Sequence, residues 1–174
     1  LPADTLSTLS EKGFTVSMWV NASLNTMAQS TLFEANSGDS KPSTPMTRIS
    51  ANLSCQINAG SYVNSSDFEL KRNEWHHVAY SVNTKGVKLY LDGTLVRSTS
   101  KDLSKCFDTS LSNCIQNATN ISIGSGLIYG NEDVRDVKFD DVAVYSAALS
   151  TKQIDEIYQQ DTLKDPQPEP EPEP

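Results

Sequence analysis

Residues 73–93 read NEWHHVAYSVNTKGVKLYLDG. From His76 to Val82 the side chains alternate in the manner of a half-buried strand. Neighbouring side chains on a strand point to opposite faces. His76 then lies with Val78, Tyr80 and Val82, and His77 with Trp75, Ala79 and Ser81. These are the only two histidines of the chain. Their rings diverge, so they cannot chelate one ion together, and the pair reads as scaffold. The tetrad at residues 83–86 ends in Gly86, which can take a positive φ, so the flanking runs read as a hairpin. Asp92-Gly93 is a second reversal.

The same alternation recurs outward along the chain. FTVSMWVNA puts Phe14, Val16, Met18 and Val20 on one face, and Thr15, Ser17, Trp19 and Asn21 on the other. STLFEAN is short and apolar. MTRISANLSCQI reads as one alternating strand. Ile49, Ala51, Leu53, Cys55 and Ile57 face inward, and Arg48, Ser50, Asn52, Ser54 and Gln56 outward. NISIGSG and VKFDDVAVY are later strands. Ser150 followed by Gln153 fits a capping box. Ile154, Ile157 and Tyr158 then form a helical stripe, expected to pack over an end of the sheets. Many short strands and one late helix point to an all-β sandwich.

After Asp165 the chain becomes PQPEPEPEP. Alternating proline excludes a helix or sheet interior and favours an extended spacer, stretched by glutamate repulsion. The division expected is a folded unit over residues 1–163 and a linker over 164–174, within a longer polypeptide with neighbouring domains.

The 174 residues carry a net charge of −8 with no basic patch, which argues against nucleic acid and anionic membrane partners. No run is long enough to span a membrane. Three cysteines leave at least one unpaired. Cys106 and Cys114 bracket a short polar loop that a disulfide could close, implying an oxidising compartment; two reduced thiols are the alternative. Cys55 reads as a small buried apolar side chain. Asn21, Asn52, Asn64, Asn117 and Asn120 head Asn-x-Ser/Thr sequons, which matter only in a glycosylating host.

FTVSMWV, NEWHHVAYSVNTKGVKLYLDGTLV, ISIGSG and FDDVAVYSAALSTKQIDEIY together resemble the concanavalin A-like, laminin-G-like jelly-roll family. The resemblance is to the branch common in bacterial extracellular proteins, with pentraxins more distant. It runs from about Phe14 to Tyr158. It implies a two-sheet antiparallel jelly-roll sandwich with one short C-terminal helix, and makes the Trp-x-His pattern part of a central strand. The pentraxin inter-strand disulfide cannot form, because Ser17 and Ala79 occupy the matching positions.

The resemblance also implies where chemistry could lie. Calcium takes several oxygen ligands, and an Asp opening the closing strand can supply one; the matching residues are Asp140 and Asp141. In a regular strand Asp140 shares the inward face with Val142 and Val144, where it needs donors or an ion. Relatives that hydrolyse polysaccharides carry Glu-x-Asp-x-x-Glu on one strand, and no such pattern occurs here. Asp67 and Glu69 lack the third member and read as solvated edge charges. Without the paired carboxylates, and without a nucleophile elbow or phosphate loop, an enzyme is not expected. Aromatic and planar polar side chains are candidates for contacting a sugar: Trp19, Arg48, Tyr62, Tyr129 and Asn131. The expectation is a non-catalytic, carbohydrate-directed module of a secreted or cell-surface protein. The alternative is a structural or adhesive domain with an extracellular protein ligand.

Overall fold

The computed structural model describes residues 13–26, 30–36, 47–57, 61–63, 70–111, 114–124 and 137–164. Ten strands are present among them: β1 (Phe14–Ala22), β2 (Thr31–Asn36), β3 (Thr47–Ser50), β4 (Cys55–Ile57), β5 (Ser61–Val63), β6 (Trp75–Asn83), β7 (Gly86–Leu91), β8 (Thr94–Ser100), β9 (Asn120–Ile123) and β10 (Val137–Tyr145). One α-helix, α1 (Thr151–Lys164), follows. The strands form two five-stranded sheets, ordered β10-β1-β6-β7-β8 and β5-β4-β3-β2-β9. Every pairing is antiparallel.

The alternation of β1 and β6 does what its period requires. Phe14, Val16, Met18 and Val20 are fully buried, as are Val78, Tyr80 and Val82. They meet Phe33, Ala35, Ile49 and Ile57 in one apolar cluster. Tyr80 ties the layers together. Its ring stands edge-on to Phe14 at 5.9 Å and to Phe33 at 6.3 Å. Its hydroxyl accepts from Thr47 Oγ1 at 3.2 Å, which satisfies a polar atom that burial would otherwise penalise.

Both reversals read from the sequence are formed. Asn83 pairs with Gly86 across the β6–β7 turn. At the β7–β8 turn Asp92 and Gly93 both have positive φ, 49° and 73°, as a primed hairpin turn demands. The capping box is also formed: Gln153 N donates to Ser150 Oγ at 3.3 Å, and Ser150 N donates to Gln153 Oε1 at 2.9 Å.

Four expectations are corrected. The run read as one strand is, over the described residues 47–57, a β3–β4 hairpin. Asn52 Oδ1 accepts from Ser50 Oγ at 2.6 Å and from Ser54 N at 3.1 Å, and Leu53 takes φ 56°. The inward set survives because Ile49 lies opposite Cys55 across the hairpin. Second, α1 packs on the outer side of the first sheet rather than over an end. Ile154 is fully buried against Ala79 and Tyr90.

Third, β10 is bulged. Trp19 pairs with Asp140 and Ser17 with Ala143, so Met18 faces two residues. Asp141, at φ 45°, absorbs the extra position. The alternation changes phase there, and Phe139, Val142 and Val144 pack on the core while Asp140 is exposed. Fourth, no Cys106–Cys114 disulfide is formed; all three cysteines are buried thiols. Cys106 packs into the main apolar cluster, and Cys114 Sγ donates to Gln116 Oε1 at 3.2 Å. Cys55 is wholly buried, as read, and burial pushes its thiol pKa far up, which keeps it inert.

Candidate functional site

The two histidines are scaffold, held in different ways. His76 Nδ1 lies 2.9 Å from Asp92 Oδ2, and His77 N donates to Asp92 Oδ1 at 2.9 Å. The His77 ring is buried on the opposite side, with Nε2 2.7 Å from Ser17 Oγ. Burial lowers its pKa to about 4, against the opposing pull of Asp161 and Asp92.

Trp19 lies on that same outer side, under α1. Its ring stacks on Tyr158 at 5.7 Å and stands 5.5 Å from His77. Its Nε1 donates to Asp161 Oδ2 at 3.4 Å. With 9% of its surface exposed, it is packed between the sheet and α1.

Arg48 belongs to the second sheet. Register places Tyr62, Gln56, Arg48, Glu34 and Ser122 in one row across β5, β4, β3, β2 and β9. Glu34 and Arg48 alternate with the core residues Phe33, Ala35 and Ile49 and are engaged with their neighbours. Arg48 Nε donates to Thr31 Oγ1 at 2.7 Å and sits 4.0 Å from Glu34 Oε2. Asn36 Nδ2 donates to Glu34 Oε1 at 2.9 Å. Glu34, Arg48 and Gln56 are all buried. Arg48 is thus held within a buried polar layer beside Glu34. Trp19 and Arg48, on opposite sheets, do not form one site. Tyr129 and Asn131 lie outside the described residues, as do Asn64, Asp67 and Glu69.

Asp140 and Asp141 are both exposed, and Asp140 Oδ1 accepts from the Asp141 N–H at 2.9 Å. Their carboxylates do not fit the inward ligand expected for calcium. Among the described residues no group of three or more His, Cys, Asp or Glu is placed to hold an ion.

A surface that the sequence did not announce is a groove of about 500 Å³ on the outer side of the first sheet. Its floor is the hairpin end of β6, β7 and β8. Ser81, Lys88 and Ser98 lie in one register row, and Asn83, Gly86 and Ser100 in the next. Its wall is the segment 148–150 leading into α1. That wall is pinned to the sheet. Leu149 N donates to Thr15 Oγ1 at 2.9 Å, Thr15 Oγ1 donates to Ala147 O at 2.9 Å, and Ser81 Oγ donates to Leu149 O at 3.2 Å. Gly86 makes the floor possible, for at φ 151° an added Cβ would sit 1.9 Å from Thr99 O. The one signal in the sequence was the run of small hydroxylated residues around Ser98, which strand alternation alone reads as solvent-facing.

Two antiparallel sheets with a docked C-terminal helix define a lectin-like β-sandwich. The chain belongs to the concanavalin A-like lectin/glucanases superfamily, whose family model matches residues 1–155. A sequence comparison with curated proteins finds no match. Similar solved structures share the fold. Domain 4 of an extracellular GH43 arabinanase from Geobacillus stearothermophilus, in complex with arabinotriose, is 19% identical at TM-score 0.61, over 85% of this chain and 67% of that one. Trypanosoma rangeli sialidase in complex with the inhibitor DANA is 15% identical at TM-score 0.61, over 88% of this chain and 24% of that one. A structure concerning botulinum neurotoxin type C, whose cell entry depends upon interaction with two ganglioside molecules, is 16% identical at TM-score 0.57, over 88% and 37%. The chain thus spans about a quarter of the sialidase's length. No helix among the described residues is long and apolar enough to cross a membrane.

Proposed function

We propose that this chain is a non-catalytic carbohydrate-binding module of a larger secreted or surface-held protein, and that its ligand lies in the groove over β6, β7 and β8. The observation that carries this is the polar array on the groove floor. Hydroxyl, amide and ammonium groups stand on adjacent strands about 4.8 Å apart, and same-side residues along one strand are about 7 Å apart. Such an array of donors and acceptors is suited to the hydroxyls of a sugar. The groove volume falls in the range of small-ligand sites, and its pinned wall means that little must be ordered on binding. Asn83 Oδ1 already accepts from Lys85 N at 2.8 Å, which orients the amide and leaves its Nδ2 donors for a ligand. Among the described residues no carboxylate or histidine lines the groove, and glycoside hydrolysis requires a pair of carboxylates. The arabinotriose and ganglioside named with two similar structures agree with a sugar ligand.

The test is an oligosaccharide array probed with the wild-type chain and with Asn83→Ala/Ser98→Ala. Binding is expected, weakened at least about tenfold in the double variant, the cost of one to two hydrogen bonds. An array on which the folded wild-type chain binds nothing overturns the reading. It would leave a structural or protein-adhesive domain.

A further inference from the structure

Resting on the groove as the sugar site, we infer that its ligand is an acidic glycan, one whose rings carry a carboxylate or sulfate, and that Lys88 with Lys85 selects it. The whole chain is acidic, at −8, yet among the described residues this groove is lined by two lysines and no acid. Of the exposed lysines described elsewhere, two sit in ion pairs. Lys71 pairs with Glu74 at 3.7 Å and Lys152 with Glu156 at 3.4 Å. Neither Lys85 nor Lys88 has a carboxylate partner among the described residues.

Lys88 is the better placed of the two. It rises from the central floor strand between Ser81 and Ser98, its register neighbours on either side. An anionic group above it would meet the ammonium and the Ser98 hydroxyl beside it, the Ser81 proton being given to Leu149 O. Lys85 stands on the β6–β7 turn at the groove's end, within reach of a neighbouring ring. The wall adds to the same field. Ser150 caps α1 and lines the groove, so the positive end of a 14-residue helix begins at its wall. A neutral sugar would use the hydroxyls and the Asn83 amide but would leave both ammoniums unpaired.

The carboxylate and sulfate sources are separated by choice of probe. Calorimetric titration is run with a galacturonic acid trisaccharide, its neutral methyl ester, and a sulfated heparin tetrasaccharide, against wild type, Lys88→Gln and the control Lys71→Gln, which precedes β6 at the end opposite the groove. Circular dichroism checks that each variant is folded. The expected result is that at least one acidic probe binds and the methyl ester binds at least about tenfold more weakly. Lys88→Gln should lose a similar factor while Lys71→Gln matches wild type. Affinity should fall as salt rises from about 50 to about 300 mM. A response to the heparin tetrasaccharide alone assigns sulfate; a response to the galacturonate alone assigns carboxylate. Equal binding of acid and ester, or binding of acidic probes untouched by Lys88→Gln, overturns this inference and leaves the glycan-binding reading in place. Binding of neutral glycans only does the same. Binding of no glycan at all overturns both.

Discussion

Asp92 shows how one residue can serve turn, strand and ring together. Its positive φ makes the β7–β8 reversal, and its two carboxylate oxygens hold the His77 amide and the His76 ring. His77 itself is a buried neutral ring, and this has a consequence for acid stability. Burial lowers its pKa from 6.5 to about 4. Between those values the unfolded chain binds the proton and the folded chain does not, so stability rises with pH across that window. The contribution is complete above about pH 6.5 and is lost as pH falls toward about 4, at most about 3 kcal/mol. Denaturant melts at pH 7 and pH 4.5 should show this loss in wild type. His77→Gln should start from lower stability at pH 7 and show a smaller difference between the two pH values. An equal pH slope in wild type and variant would remove His77 as its source.

At the scale of elements, α1 decides what the first sheet can do. Its capping box fixes where it starts, and Ile154 anchors it between Ala79 and Tyr90. Tyr158 then reaches Trp19, resting close to Gly93 at φ 73°, where a Cβ would come within 2.8 Å of the Tyr158 ring. Truncating the anchor leaves a cavity under the helix. Ile154→Ala is expected to cost about 2–5 kcal/mol, read as a lower denaturation midpoint by circular dichroism. Trp19 fluorescence should shift to the red as its cover loosens. A variant with wild-type midpoint and emission would show that the helix adds no stability to the sheet. The β10 bulge is the other decisive local feature, because one extra residue turns Asp140 from the core side to solvent.

At the scale of the whole molecule, the outward Asp140 bears on metal dependence. An ion that binds only the native state at one hundred times its dissociation constant stabilises by about 2.7 kcal/mol. At about 2–4 °C per kcal/mol for a domain of this size, that is a melting shift of several degrees. Melting temperatures are to be compared in millimolar calcium and in chelator, for wild type and Asp140→Asn. The variant is expected to reproduce whatever difference the wild type shows, because Asp140 faces solvent beside its own strand. A calcium shift present in wild type and lost in Asp140→Asn would restore this residue as a ligand.

The sequence by itself determined what depends on neighbours within a few residues. Alternation over 14–20 and 76–82 named the inward set of β1 and β6 correctly, because strand period needs no distant partner. The Asp-Gly turn and the Ser150–Gln153 box were legible for the same reason: their hydrogen bonds close within three residues. Alternation could not distinguish one strand from two at 47–57, since a hairpin that pairs Ile49 with Cys55 keeps the same residues inside. Nor could it foresee the phase change at Asp141, which is set by register against β1. The cover over Trp19 and the wall of the groove lay further out of reach. Trp19 meets Asp161 across 142 positions of chain, and Ser81 holds Leu149 across 68. Which polar side chains are used up within the fold and which remain for a ligand is settled by such distant contacts, so only the tertiary structure set Arg48 apart from Lys88.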